Sequence, residues 1–132
     1  MRYFELNFKG YVGGGSLPET AGLYCAYTTK INEKGILVLD QLVYIGESRN
    51  IRQRQLQHVS NNDFPEPVVF SYVETPDTFT DKLRKQCESA LIYECQPRWN
   101  NQGMKLFNYD DTQVISTGEH YRIPDKFTVY RA

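Results

Sequence analysis

Tyr24 and Tyr44 stand in two strand-like runs, Gly22-Leu23-Tyr24 and Tyr44-Ile45-Gly46, which a turn at Asn32-Glu33-Lys34-Gly35 brings side by side. Their hydroxyls can then converge. Gly46 lets the backbone turn sharply and lets a ligand approach it. Beyond it, Arg54 and His58 are four apart and share one face of a helix. An arginine fork can donate two parallel hydrogen bonds to a phosphate. A histidine donates, accepts or shuttles a proton near neutral pH. Glu88 lies beside an apolar stripe of Leu83, Cys87, Ala90 and Leu91, where a carboxylate suits a hard cation such as Mg²⁺. Glu94 is the competing carboxylate on that helix. Asn100 follows Pro97-Arg98-Trp99 and can hydrogen-bond across the site or cap a turn. Each residue also has an ordinary structural use: strand tyrosines, a turn glycine, a solvated helix face, a rim glutamate paired with Arg84.

The elements that must hold these residues follow from pattern. Phe4, Leu6 and Phe8 alternate with polar residues, as in a half-buried leading strand. Gly13-Gly14-Gly15-Ser16 is a loop. Gly22 to Thr29 and Gly35 to Gly46 form a hairpin. Glu47 to Val59 reads as a helix with apolar residues at Ile51, Leu56 and Val59, capped by Ser48 or Asn50. Asn61, Asn62, Pro65 and Pro67 break the chain. Val68 to Val73 is a third strand. Pro76-Asp77-Thr78 leads into the second helix, which Pro97 ends. Thr112 to Thr117 and Lys126 to Tyr130 are short strands. The expected fold class is α+β: a small, mainly antiparallel sheet flanked by helices, with N- and C-terminal strand extensions. One domain is expected over residues 1–132, with a core at about 22–100 and an extension, 104–132, packed on it.

The chain has 132 residues, 40% hydrophobic and 23% charged, as a globular protein does. It shows neither an apolar run long enough for a membrane span nor a secretory signal, which points to a cytoplasmic protein without membrane association. Cys25, Cys87 and Cys95 are odd in number and lack a CxxC element, so they are expected as plain thiols. A net charge of −1 disfavours strong non-specific nucleic-acid affinity, yet Arg49, Arg52 and Arg54 cluster, as do Lys82, Arg84 and Lys85. A local basic face is therefore expected.

These residues together resemble the GIY-YIG endonuclease superfamily, the catalytic domain of excision-repair, homing and restriction nucleases. The two halves of its motif match Gly22-Leu23-Tyr24 and Tyr44-Ile45-Gly46. The family's arginine, eight positions after the last glycine, falls on Arg54, and a histidine found in some members falls on His58. Its metal-binding glutamate precedes a proline by nine positions and an asparagine by twelve; Glu88, Pro97 and Asn100 meet both spacings and Glu94 does not. The similarity runs from about Gly22 to Asn100. The chain departs from the family in a longer hairpin and in Glu47, where the repair nuclease has a lysine.

The resemblance implies a phosphodiesterase that uses one Mg²⁺ or Mn²⁺ ion on DNA, double-stranded or branched. Glu88 is then the metal residue. Arg54 stabilises charge on the phosphoryl group, and a water attacks in line. A tyrosine takes the water's proton, Tyr24 in first place with Tyr44 assisting. The metal and Arg54 are expected to lower that tyrosine's pKa. His58 orients the tyrosine or takes the proton onward, and Asn100 orders the site. Gly46, Arg49 and Arg52 are the expected nucleic-acid contacts. The competing reading is a catalytically weak or inactive DNA-binding or interaction module on the same fold.

Overall fold

A computed structural model of the chain describes residues 1–101 and 104–132. The order is β1 (Arg2–Val12), β2 (Gly22–Ile31), β3 (Leu37–Ser48), α1 (Ile51–Ser60), β4 (Val68–Glu74), α2 (Asp81–Cys95), β5 (Thr112–Gly118) and β6 (Lys126–Val129). The strands form one mixed sheet in the order β3-β2-β4-β1-β5-β6, curled into a half-barrel. Only the β1–β5 ladder is parallel among these pairings; the others are antiparallel. The α+β class and the mainly antiparallel sheet are as expected.

The β2–β3 hairpin is closed by Asn32, whose Oδ1 accepts from the N–H groups of Lys34 and Ile36. Gly35 completes the turn at φ +76°, a conformation open to a residue without Cβ. Side chains then alternate along β2. Leu23, Cys25 and Tyr27 enter the core with α2, while Tyr24 and Ala26 enter the core with α1. β3 does not keep strict alternation. Leu42 pairs with Tyr27 and Tyr44 with Ala26, so Val43 is an extra residue. This bulge puts Val43 and Tyr44 both on the α1 side, with Tyr44 diagonal to Tyr24.

Helix α1 starts later than the sequence pattern suggested, because β3 continues through Ser48. Asn50 is its cap, accepting from Gln53 N–H at 3.1 Å, and Ser48 Oγ in turn accepts from Asn50 N–H. The expected apolar face holds at Ile51 alone. Leu56 and Val59 are exposed, and the buried residues are Ile51, Gln55 and His58. Polar residues turn inward here because partners wait there: Gln55 Oε1 accepts from Leu17 N–H at 3.0 Å, and His58 meets Tyr24.

Helix α2 is capped by Thr80, which accepts from Leu83 N–H, and ends at Gln96 in the left-handed region before Pro97. Of its expected stripe, Cys87, Ala90 and Leu91 are buried and Leu83 is half-buried; Ile92 is buried beside them. The C-terminal segment folds back beside the leading strand, β5 on β1 and β6 outside it, and buries Phe107, Val114, Ile123, Phe127 and Val129. The three thiols are free, two buried and Cys95 half-buried. Among the described residues no helix is long and apolar enough to cross a membrane.

Candidate active site

The hairpin, α1 and α2 bring the sequence-predicted residues to one region. Tyr24 is fully buried, and Gly46 pairs opposite it on β3. A Cβ at Gly46 would lie 2.4 Å from the Tyr24 ring and hydroxyl. The room left by the missing side chain is therefore filled by Tyr24 itself, so the absence of a Cβ at Gly46 serves the packing of that ring. The Tyr24 and Tyr44 rings stack with centroids 6.1 Å apart. The Tyr24 hydroxyl and His58 Nε2 are hydrogen-bonded at 2.9 Å, and His58 Nδ1 is bonded to Asp63 Oδ2 at 2.8 Å.

Two cavities adjoin across Tyr44, Trp99 and Asn101, which line both. One, of about 310 Å³, also holds Arg54, His58 and Asp63. The other, of about 420 Å³, holds Glu88 and Asn100. Tyr44 thus stands between the guanidinium of Arg54 and the carboxylate of Glu88, while Tyr24 lies behind it. Asn100 grips β3 from the side: its Oδ1 accepts from Ile45 N–H and its Nδ2 donates to Ile45 C=O, both at 2.9 Å. Phe64 and Trp99 stack beside His58 and close the groove on its other flank.

The electrostatics depart from expectation at the tyrosines. Burial pushes both hydroxyls above the ordinary phenol range, most at Tyr24; Arg54 opposes this without overcoming it. Burial also lowers the His58 pKa, with Asp63 opposing the effect and Arg54 adding to it. Glu88 is pushed up to about 7, first by burial and then by the nearby Glu47 carboxylate. Glu47 itself is held by the buried Arg84, whose Nε donates to it at 3.2 Å. Arg84 also pairs with Asp81 and donates to the Phe79 carbonyl.

This arrangement fits one hard cation. Mg²⁺ keeps several waters and needs one or two protein carboxylates together with substrate oxygens. Glu88 offers a half-buried carboxylate at the cavity wall, with the Glu47 carboxylate nearby. Asn100 Oδ1 already accepts one hydrogen bond, from Ile45 N–H. Among the described residues no cluster of three His, Cys, Asp or Glu side chains offers an all-protein cage.

The expected basic face is smaller than the sequence suggested. Arg84 is buried in its ion-pair network and Arg49 is exposed but paired with Asp81, while Arg52 points to solvent. Asp63 was missed by sequence reasoning. Its signal was local: Asn62 adopts the left-handed φ of 52° after the helix end, and Asp63 N–H donates back to the His58 carbonyl at 3.0 Å. That wrap returns the carboxylate to the histidine ring. Compared with known proteins, the chain matches no family model, no curated protein and no solved structure.

Proposed function

We propose that the chain is a divalent-metal-dependent endonuclease of the GIY-YIG type, with the fold of that superfamily, hydrolysing phosphodiester bonds in DNA. The observation that supports it most is the convergence on one groove of Tyr44, Arg54, His58 and Glu88, carried by three separate elements and spaced as the superfamily's motifs require.

In this reading the scissile phosphate lies along the groove past Tyr44. Glu88 holds the cation. A bound Mg²⁺ supplies Lewis acidity to the phosphate and leaving oxygen. Arg54 stands opposite and stabilises the negative charge that grows on the phosphoryl oxygens. Tyr44, rather than the buried Tyr24, is the hydroxyl that meets the attacking water, because Tyr44 lines the cavities and Tyr24 has no exposed surface. A free phenolate is costly at either position, so the tyrosine passes a proton on as it receives one. Asn100 keeps Ile45, and with it Tyr44, in register. The test is incubation with branched, nicked and duplex DNA in Mg²⁺, with product ends mapped. Cleavage of any of them that EDTA abolishes supports the reading; intact DNA in every case removes it.

A further inference from the structure

We infer that Asp63 is a positioning residue that fixes the His58 tautomer, so that His58 Nε2 is the terminal acceptor for the proton leaving through the tyrosines. This rests on the nuclease reading above, and it adds to that reading a residue and a direction.

The geometry sets the direction. An ionised carboxylate has no hydrogen to donate, so the 2.8 Å contact between Asp63 Oδ2 and His58 Nδ1 requires Nδ1 to carry the hydrogen. In a neutral imidazole Nε2 is then an acceptor. Its partner at 2.9 Å is the Tyr24 hydroxyl, which must donate. With its hydrogen turned to His58, the Tyr24 oxygen is left as an acceptor, with Tyr44 and Arg54 as its neighbours. The two hydrogen bonds formed here run one way, from Tyr24 to His58 and from His58 to Asp63. His58 is buried, but Asp63 is 43% exposed. The carboxylate thus keeps one side in solvent while its other side anchors the ring.

The step balances. The attacking water forms the new P–O bond as the bond from phosphorus to the leaving sugar oxygen breaks; the water gives a proton to the Tyr44 oxygen, and the leaving oxygen takes one from solvent. The Tyr44 hydrogen passes to Tyr24 and the Tyr24 hydrogen to His58 Nε2, leaving both tyrosines neutral. The imidazolium is stabilised by Asp63 through Nδ1–H. Its Nε2 proton returns along the same hydroxyls to solvent when product leaves. The groups that face His58 are Tyr24 from β2, Tyr44 from β3, Arg54 on its own helix, and Asp63 and Phe64 from the following loop. Of these only Asp63 favours a positive ring.

The test pairs ¹⁵N NMR of the His58 ring with nicking kinetics in wild type, Asp63→Asn and Asp63→Ala. We expect wild-type His58 to show a protonated Nδ1 and a bare Nε2 at neutral pH. Asp63→Ala should lose that single tautomer, and its kcat should fall roughly tenfold or more at unchanged KM. Asp63→Asn keeps an acceptor for Nδ1–H, so it should hold the tautomer and recover part of the rate. A bare Nδ1 in the wild type, or an Asp63→Ala protein with unchanged tautomer or unchanged kcat, overturns the inference. Wild-type protein that cuts no DNA overturns the nuclease reading, while the spectra still decide whether Asp63 sets the tautomer.

Discussion

At the scale of single residues, the site separates three arginines that sequence proximity had grouped. Arg54 borders the groove beside Tyr44 and His58, Arg49 is tied to Asp81, and Arg52 is solvent-facing. Arg54→Ala should therefore lose far more turnover at saturating DNA than Arg49→Ala or Arg52→Ala. The latter two should weaken binding and flatten its salt dependence. Equal turnover losses in all three would contradict the assignment. Glu88 carries a second prediction. Its folded value of about 7 lies above the ordinary 4.5, so the native state holds the proton more tightly than the unfolded chain. That stabilisation is fully present below about pH 4.5 and is lost as pH rises through about 7. Glu88→Gln removes the loss. At pH 8 the variant should be more stable than wild type by on the order of 1–3 kcal/mol, measured by urea unfolding. Added Mg²⁺ at that pH should stabilise the wild type and leave the variant unchanged. The residue types at Tyr44, Arg54, His58 and Glu88 were legible in the sequence because motif spacing counts residues. Asp63 was not, because its place depends on a backbone turn. Nor was the burial that raises both tyrosines, because it depends on what packs over them.

Elements position the site through their ends and irregularities. The bulge at Val43 turns Tyr44 toward Tyr24, and the left-handed turn at Asn62 returns Asp63 to His58. The hairpin, the third strand and the stripe of α2 follow from periodicity and turn chemistry, and the sequence pattern located them well. The inward face of α1 did not follow from it. Hydropathy favours burying Leu56 and Val59, but the tertiary partners of Gln55 and His58 decide otherwise. The Asn62 turn can be tested by substitution. Asn62→Gly should preserve stability and His58 geometry, since glycine adopts positive φ freely. Asn62→Val should cost about 1–2 kcal/mol in thermal or urea unfolding and release Asp63 from the ring. Equal stability of the two variants would show that the turn is not what holds the carboxylate.

Across the whole molecule, the strands outside the motif-bearing region are part of the same sheet. β1 lies between β4 and β5, so the C-terminal segment pairs beside the leading strand of Phe4, Leu6 and Phe8, as its apolar content suggests, and covers that edge. The apolar content of residues 104–132 did signal a packed role, and Phe107, Val114, Ile123, Phe127 and Val129 fill it. Deleting 104–132 should expose β1 and the flank of α2, giving aggregation or loss of the cooperative unfolding transition. A deletion that stays folded and loses only DNA affinity would instead make the segment a recognition element. The central claim is tested most directly by nicking of supercoiled plasmid in Mg²⁺ by wild type, Glu88→Ala and Glu94→Ala, each checked for an intact fold by circular dichroism. The wild type and Glu94→Ala should cut at similar rates, and Glu88→Ala should not cut, because Glu88 lines the groove while Glu94 is exposed elsewhere on α2. Cutting by Glu88→Ala, loss of cutting in Glu94→Ala, or no cutting by the wild type at all would contradict the account.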